Sequence, residues 1–294
     1  MVYEMSETTG KQEQVREFWN AKPCDSELSE QDNQSKEYYL EIEADRYRYQ
    51  YHILKILDWL DWNNKKILEI GTGVGTDARQ IIKRGGIYTG INIDQGSVEI
   101  TAQALDTFGL SGTVKESSAT NIFLEDNSVD IIYSFGVLHH IPDVNAAIDE
   151  IRRVLKPGGE LLIMMYNRDS INYHVEIKFL RKMALRILNI PGFIYLFKLI
   201  GLPEKKLRRH AEIYRLYGNL DDQEWLNRNT DGPYNPYSQI YNAQEAEKLL
   251  ANFEIKRNEA YFFDSRHWGI FGRMLPKWII AFLGKHWGWH RMIY

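Results

Sequence analysis

The chain is poor in cysteine, in long apolar runs and in excess charge of either sign. Its 294 residues include one cysteine, Cys24, which excludes an internal disulfide framework and a cysteine-rich metal site. No apolar run is long enough to cross a bilayer, and the polar, acidic N-terminus has no leader pattern, so the expected location is cytoplasmic. A net charge of −4 speaks against a dedicated nucleic-acid binder, which carries a basic face, so no nucleic-acid partner is expected. It leaves room for a local basic region. There are no internal repeats and no low-complexity tract. Apolar and charged fractions of 44% and 26% are those of a globular protein with one large domain, or a domain and a cap.

What is present is a strand, a glycine turn and a helix. Lys66–Ile70 is a short apolar run that reads as a buried parallel strand. Gly71, Gly73 and Gly75 follow at alternate positions, and a helix begins at about Thr76. Glycines there let the backbone turn sharply and come close to a ligand, and the helix offers free N–H groups. The alternative is an ordinary strand-to-helix turn with spare glycines. A dinucleotide fingerprint has its third glycine one residue later and an apolar residue where Glu69 stands. A carboxylate there suits a cationic ligand better than a pyrophosphate.

The rest of the chain alternates strand with helix. Expected strands are 66–70, 87–93, 113–116, 130–134 and 160–165, with helices over 76–84, 95–108 and 145–155 and a turn at Lys156-Pro-Gly-Gly159. This rhythm predicts a parallel sheet covered by helices on both faces, with the ligand at the carboxyl ends of the strands. Upstream, a helix over 12–20 carries Phe18-Trp19, 24–34 reads as a loop, and a tyrosine-rich helical stretch covers 35–62. Beyond Tyr166 come basic helices over 174–217, broken at Pro191-Gly192 and Gly201-Leu-Pro203, and a polar loop over 221–241. A helix capped by Asn242 over 243–252, a strand over 253–263, an aromatic basic helix over 266–286 and a last strand over 288–294 complete the chain.

Four further stretches accompany the glycine turn: Tyr88-Thr-Gly-Ile-Asn-Ile-Asp94, the segment 117–130, Ile132-Tyr-Ser-Phe-Gly-Val-Leu-His-His-Ile-Pro-Asp143, and Arg152-Arg-Val-Leu-Lys-Pro-Gly-Gly-Glu-Leu161. With Glu69 and the three glycines, these ordered motifs resemble the class I S-adenosylmethionine-dependent methyltransferases, in their ubiquinone/menaquinone-type small-molecule branch. The resemblance covers about 65–166. It implies an α/β, Rossmann-like, doubly wound and mostly parallel seven-stranded sheet, with N-terminal helices and a helical cap inserted after strand five. The expected division is an N-terminal cover over 1–64, a cofactor core over 65–166, a helical cap with an acceptor-side loop over 167–252, and C-terminal strands around a basic helix over 253–294.

The resemblance also implies roles. S-adenosyl-L-methionine would be held by Glu69, Gly71, Thr72, Gly73, Gly75, Asn92, Ile93, Asp94, Ser118, Ala119, Ser134 and Phe135, with Tyr39 and Arg46 reaching in from the N-terminal cover. Two positions depart from the family pattern. Asn92 stands where an acid takes the ribose hydroxyls, and Ser118 where an acid takes the adenine amine; amides and hydroxyls accept more weakly than carboxylates. Asp94 replaces the missing ribose acid if the strand ends one pleat later.

Methyl transfer to a hydroxyl needs a base, and histidine suits neutral pH. His139 and His140 follow strand four, at the edge where an acceptor should lie, although one of them can simply pack or cap. Tyr166 and Asn167 face the same mouth, and Tyr234 and Tyr237 belong to a loop expected to line the acceptor pocket. The caps read either as ordinary packing with a solvated cationic face, or as a lid over a small-molecule or lipid-like acceptor that docks on anionic membrane. In the second reading Trp268, Trp278, Trp287 and Trp289 lie beside Arg266, Arg273, Lys277 and Lys285 as in an interfacial helix. O-methylation is favoured only by the histidine pair. The competitors are a cofactor-binding protein without transferase activity and a protein or RNA methyltransferase. The second lacks support, because no Asn-Pro-Pro-Tyr-type motif follows strand four. Oligomeric state is not legible.

Overall fold

Neighbouring residues of the short apolar runs bury on opposite sides of one sheet. Ile67, Ile131, Leu162 and Met164 enter one core, while Leu68, Ile132, Ile163 and Met165 enter another across the sheet. Such runs are the signature of strands covered on both faces. The computed structural model describes every residue except 1–6, 27, 30, 32–34, 200–203, 218–219, 233, 269–271 and 273. Arg273 and the expected helix break at Gly201-Leu-Pro203 lie outside the described residues.

The strands are β1 (Lys66–Ile70), β2 (Ile87–Asn92), β3 (Thr113–Glu116), β4 (Val129–Phe135), β5 (Leu155–Tyr166), β6 (Asn258–Tyr261) and β7 (His290–Ile293). Their order is β3-β2-β1-β4-β5-β7-β6. The first five are parallel, and β7 runs antiparallel between β5 and β6. The order reverses between β1 and β4, so the sheet opens a crevice there at the carboxyl ends of the strands. Helices α4 (Thr76–Lys83), α5 (Gln95–Thr107) and α6 (Val144–Val154) connect the strands. Asp94 caps α5 and Asp143 caps α6, each accepting a backbone N–H three residues on.

Several boundaries move. The helical stretch expected over 35–62 consists of two helices, α2 (Lys36–Tyr49) and α3 (His52–Leu57). The Lys156–Gly159 turn lies within the span of β5 as an irregularity: pairing jumps from Val129–Leu155 to Ile131–Glu160. The polar loop over 221–241 contains a helix, α10 (Asp222–Thr230), which Asp221 caps by accepting from the Glu224 N–H. The strand over 253–263 shrinks to β6, and the helix over 266–286 to a short turn and α12 (Lys277–Trp287). Helices α1 (Glu7–Ala21), α7 (Arg181–Leu188), α8 (Phe193–Leu199), α9 (Glu204–Tyr217) and α11 (Ala243–Leu249) fall where helices were expected. The basic segment opens on a nine-residue π-helix, Asn172–Leu180.

Candidate active site

A cavity of about 310 Å³ occupies the crevice, walled by β1, β4, α1, the π-helix and the end of α10. The glycine turn forms its floor. Gly71 and Gly73 adopt φ of +83° and +54°, which other residues avoid. A Cβ at Gly71 would lie 2.1 Å from Val137 Cγ2, so only glycine fits. Gly75 does not line the cavity; a Cβ there would meet Thr101 on α5 at 3.1 Å, which makes it a packing residue.

The cofactor half is lined by Glu69, Gly71, Thr72, Gly73, Asn92, Ile93, Asp94, Ser118, Ala119 and Phe135. Glu69 is buried, with the Tyr88 hydroxyl donating to it. Burial and the nearby Asp77 push its carboxyl well above the usual range, and a cation placed beside it would bring it back down. Strand β2 ends at Asn92 as the aligned pattern requires. Asn92 Oδ1 already accepts from the Ile93 N–H at 2.8 Å, which leaves its amide N–H groups to donate. Asp94 spends Oδ1 on the α5 cap, yet its buried Oδ2 has no partner and its side chain lines the cavity. The Ser118 hydroxyl accepts from Gln12 Nε2 at 2.8 Å. Gln12, Val15 and Trp19 of α1 close over this half, a contribution that the sequence reading missed. Ser134 stands behind the wall, donating to the Ile70 carbonyl at 3.1 Å.

Arg46 and Tyr39 part company. Arg46 lines the cavity but grips Asp77 with two N–H groups, at 3.2 and 2.7 Å, and Asp25 with a third at 2.8 Å. Burial alone would raise the Asp77 carboxyl; Arg46, Tyr133 and Tyr47 hold it below its ordinary value. Arg46 therefore organises the wall. Tyr39 lies outside the cavity in a separate core cluster, its hydroxyl donating to the Ile100 carbonyl.

The acceptor half owes its lining to the π-helix. A π-helix turns by roughly 80° per residue, against about 100° in an α-helix. Positions 172, 176, 177 and 181 therefore return to one side, and all four line the cavity. In α geometry Arg181 would point about 180° away from Asn172. Glu176 takes hydrogen bonds from Asn172 and Arg181. Opposite, Arg266 pairs with Asp264 at 2.7 Å. Phe135, Phe262, Tyr166 and Trp289 supply aromatic walls, and Phe262 has φ +67°, an outlier for so bulky a residue.

The two histidines differ sharply. His139 is fully buried behind the cavity, its ring 3.7 Å from that of Tyr166 and neither nitrogen hydrogen-bonded. Burial, then His140 and His290, drive its pKa well below the usual value. His140 does line the cavity. Its Nδ1 lies 2.8 Å from the Tyr237 carbonyl and must carry a proton to donate there. That leaves Nε2 facing Asp231 Oδ2 at 3.3 Å, within ion-pair reach but off the line of a good hydrogen bond. Tyr166 donates to the other Asp231 oxygen at 2.6 Å. Burial raises the Asp231 carboxyl, but His140 and the hydrogen bonds bring it below its ordinary value.

Of the expected acceptor residues, Tyr166 alone lines the cavity. Asn167 is buried and pinned between Gly288 and Arg291. Tyr234 is half exposed beneath Arg209, and the Tyr237 hydroxyl accepts from Gln239. Their loop does reach the cavity, through Asn229, Thr230 and Asp231 instead. Five buried oxygens without hydrogen-bond partners belong to lining residues: Gln50 Oε1, Thr76 Oγ1, Asp94 Oδ2, Asn172 Oδ1 and Asp231 Oδ2. Such atoms are rare in a finished core and are what a ligand with donor groups would satisfy.

A glycine cradle at the switch point of a seven-stranded sheet with this order defines a Rossmann-like, class I methyltransferase fold. Residues 68–163 match the methyltransferase domain family. The chain thus carries a methyltransferase domain of the class that uses S-adenosylmethionine. Over 97 residues, 32% of this chain, it is 38% identical to a sterol 24-C-methyltransferase of Gibberella zeae, of which it covers 26%. Over 188 residues, 56% of this chain, it is 23% identical to a ubiquinone biosynthesis O-methyltransferase of Pseudomonas syringae pv. tomato, of which it covers 80%. Its fold is similar to that of a SAM-dependent methyltransferase from Thermotoga maritima, with TM-score 0.50, 17% identity, and coverage of 88% of this chain and 93% of that one. The residues present fit the cofactor. Glu69 awaits a cation, Asp94 Oδ2 and the Asn92 amide await sugar hydroxyls, and Gly71 leaves the room that a Cβ would fill.

Proposed function

We propose that the protein is an S-adenosylmethionine-dependent methyltransferase acting on a small, largely apolar or lipid-like acceptor that carries a hydroxyl. The observation that carries this reading is the continuity of one cavity from Glu69 to Asp231. The 1–64 segment acts as cover, 65–166 as cofactor core, 167–252 as acceptor cap, and 253–294 as closing strands. When bound, S-adenosylmethionine supplies an electrophilic methyl group on a positively charged sulfur.

The chain's own residues do the rest. Glu69 and the glycine turn fix the donor, and Asn92 and Asp94 take its sugar. Phe135, Tyr166, Phe262 and Trp289 exclude water from the acceptor half, so alignment supplies much of the rate. Two of the carboxylates there are matched by cations, Glu176 by Arg181 and Asp264 by Arg266, which favours a neutral acceptor. Asp231 Oδ2, beside His140 Nε2 at 3.3 Å, would take the proton that the acceptor hydroxyl gives up. The named relatives methylate carbon in one case and oxygen in the other. The preference for oxygen here rests on this carboxylate–imidazole pair.

Calorimetry with S-adenosylhomocysteine, followed by labelled methyl transfer into a metabolite extract, tests the proposal. Binding and a labelled neutral product are expected. Indifference to the ligand would sink the whole reading; tight binding with no transfer to any metabolite would favour a cofactor-binding protein without transferase activity.

A further inference from the structure

Two stretches of the chain hold no carboxylate at all: 177–203, with five lysines and arginines, and 265–294, with five more. In a chain of net charge −4, this leaves 26 cations against 40 carboxylates everywhere else. The charge is segregated, and the exposed apolar surface segregates with it. Eleven of the seventeen exposed large apolar side chains among the described residues fall in these stretches or the two residues before them.

The helices are inverted relative to ordinary packing. Helix α12 approaches the strand end after β6 through Gly284, where a Cβ would sit 3.0 Å from the Phe262 backbone nitrogen. Its large side chains face out instead: Trp278 is 71% exposed and Phe282 51%, with Met274 just upstream at 74%. Lys277 and Lys285 flank them in the same exposed zone. Helix α8 buries none of its residues, and Tyr195 and Leu199 are each 65% exposed beside the exposed Lys198. The π-helix shows Phe179 at 61% and Lys178 to solvent, while its other side lines the cavity. Aromatic and aliphatic side chains with cations between them match the boundary zone of an anionic bilayer; of these cations, Lys198 is also paired with Glu204 at 2.8 Å. Among the described residues no helix is long and apolar enough to cross a membrane.

We propose that α12 with Met274, together with α8 and the outer side of the π-helix, forms a docking surface for an anionic lipid membrane. Trp278 and Phe282 insert at the headgroup boundary, and Lys277 and Lys285 meet the lipid charge. Two of these elements adjoin residues of the acceptor half: α12 packs at Phe262, and the π-helix itself carries Asn172, Glu176 and Ile177. The docked face therefore lies next to the cavity that would receive a lipid-like acceptor. This surface stands independently of the methyl-transfer reading.

The test is co-sedimentation of the full chain with vesicles of mixed phosphatidylglycerol and phosphatidylcholine, and with vesicles of phosphatidylcholine alone. Binding to the mixed vesicles, weakened by added salt, is expected, with little binding to the neutral ones. The double substitution Trp278→Ser and Phe282→Ser should reduce partitioning by more than about tenfold, with S-adenosylhomocysteine affinity and circular dichroism unchanged. No binding to the mixed vesicles overturns the proposal, as does equal binding by the double variant. A self-associated wild type that the same substitutions make monomeric, with no vesicle binding, would assign the surface to a second copy of the chain.

Discussion

The cofactor half and the acceptor half of the cavity are built on opposite plans. The cradle of the cofactor half is local, since strand, turn and helix follow one another within 66–83, and successive strand ends and α1 add the rest. The acceptor half is assembled from afar. Asn172, Asp231, Asp264 and Trp289 reach one space from four separate elements. A cradle made of backbone tolerates drift in its surroundings, whereas a pocket made of side chains from distant segments can be rebuilt for a new acceptor without touching the cradle. Disturbing the first should cost folding or binding, and disturbing the second should cost turnover.

The largest effect should come from the Arg46 hub. Arg46→Met leaves Asp77 and Asp25 without their cation in a buried site, and losing one partner of a buried pair costs about 3–5 kcal/mol. The urea midpoint should fall accordingly. The comparison fails if the variant is as stable as the parent. Next comes the acceptor half: Asp231→Asn should lower labelled methyl transfer by roughly 10²–10⁴, the range for removing a general base. S-adenosylhomocysteine affinity should stay within a few-fold, and unaltered transfer would remove Asp231 from the mechanism. Third, Gly73→Arg fills the cradle and strains a backbone at φ +54°. Binding of S-adenosylhomocysteine should weaken by at least about 100-fold, roughly 2.7 kcal/mol, with the fold retained. Retained affinity would mean that the turn does not hold the donor.

The same contrast explains what was legible in the sequence. Glu69, Gly71 and Gly73 sit together in the chain, so their spacing announced both the turn and the ligand class. Asn92 and Ser118 were found as departures, but not Gln12, which bonds Ser118 from 106 residues away. Helix α10 was hidden because its buried apolar residues, Trp225 and Leu226, are adjacent and leave no three-four spacing to detect. Asn172 and Glu176 were hidden because a π-helix obeys neither the period of an α-helix nor that of a strand. Asp231, the carboxylate that answers His140, sat unremarked in a polar turn. The histidine pair was noticed, yet no pattern separates His140, which lines the cavity, from the neighbour buried behind it.

The smallest expected effect probes how the cradle meets its ligand. Glu69 is held above the ordinary carboxylate range, mainly by burial and then by Asp77, so below its raised pKa a cation that binds there must displace a proton. Ligand affinity should therefore rise with pH below the Glu69 pKa, by at most tenfold per unit because one proton is involved. Calorimetry in buffers of different ionisation enthalpy should show proton release on binding S-adenosylhomocysteine, and Glu69→Gln should abolish that release. Stability of the empty protein runs the other way. The folded state keeps this proton at pH values where the unfolded chain has lost it, so the Glu69 contribution to stability falls as pH rises from the ordinary carboxylate range towards the folded value. A binding constant that is flat with pH, with no proton released, would mean that Glu69 meets its ligand already ionised and that the cradle is preformed in charge as well as in shape.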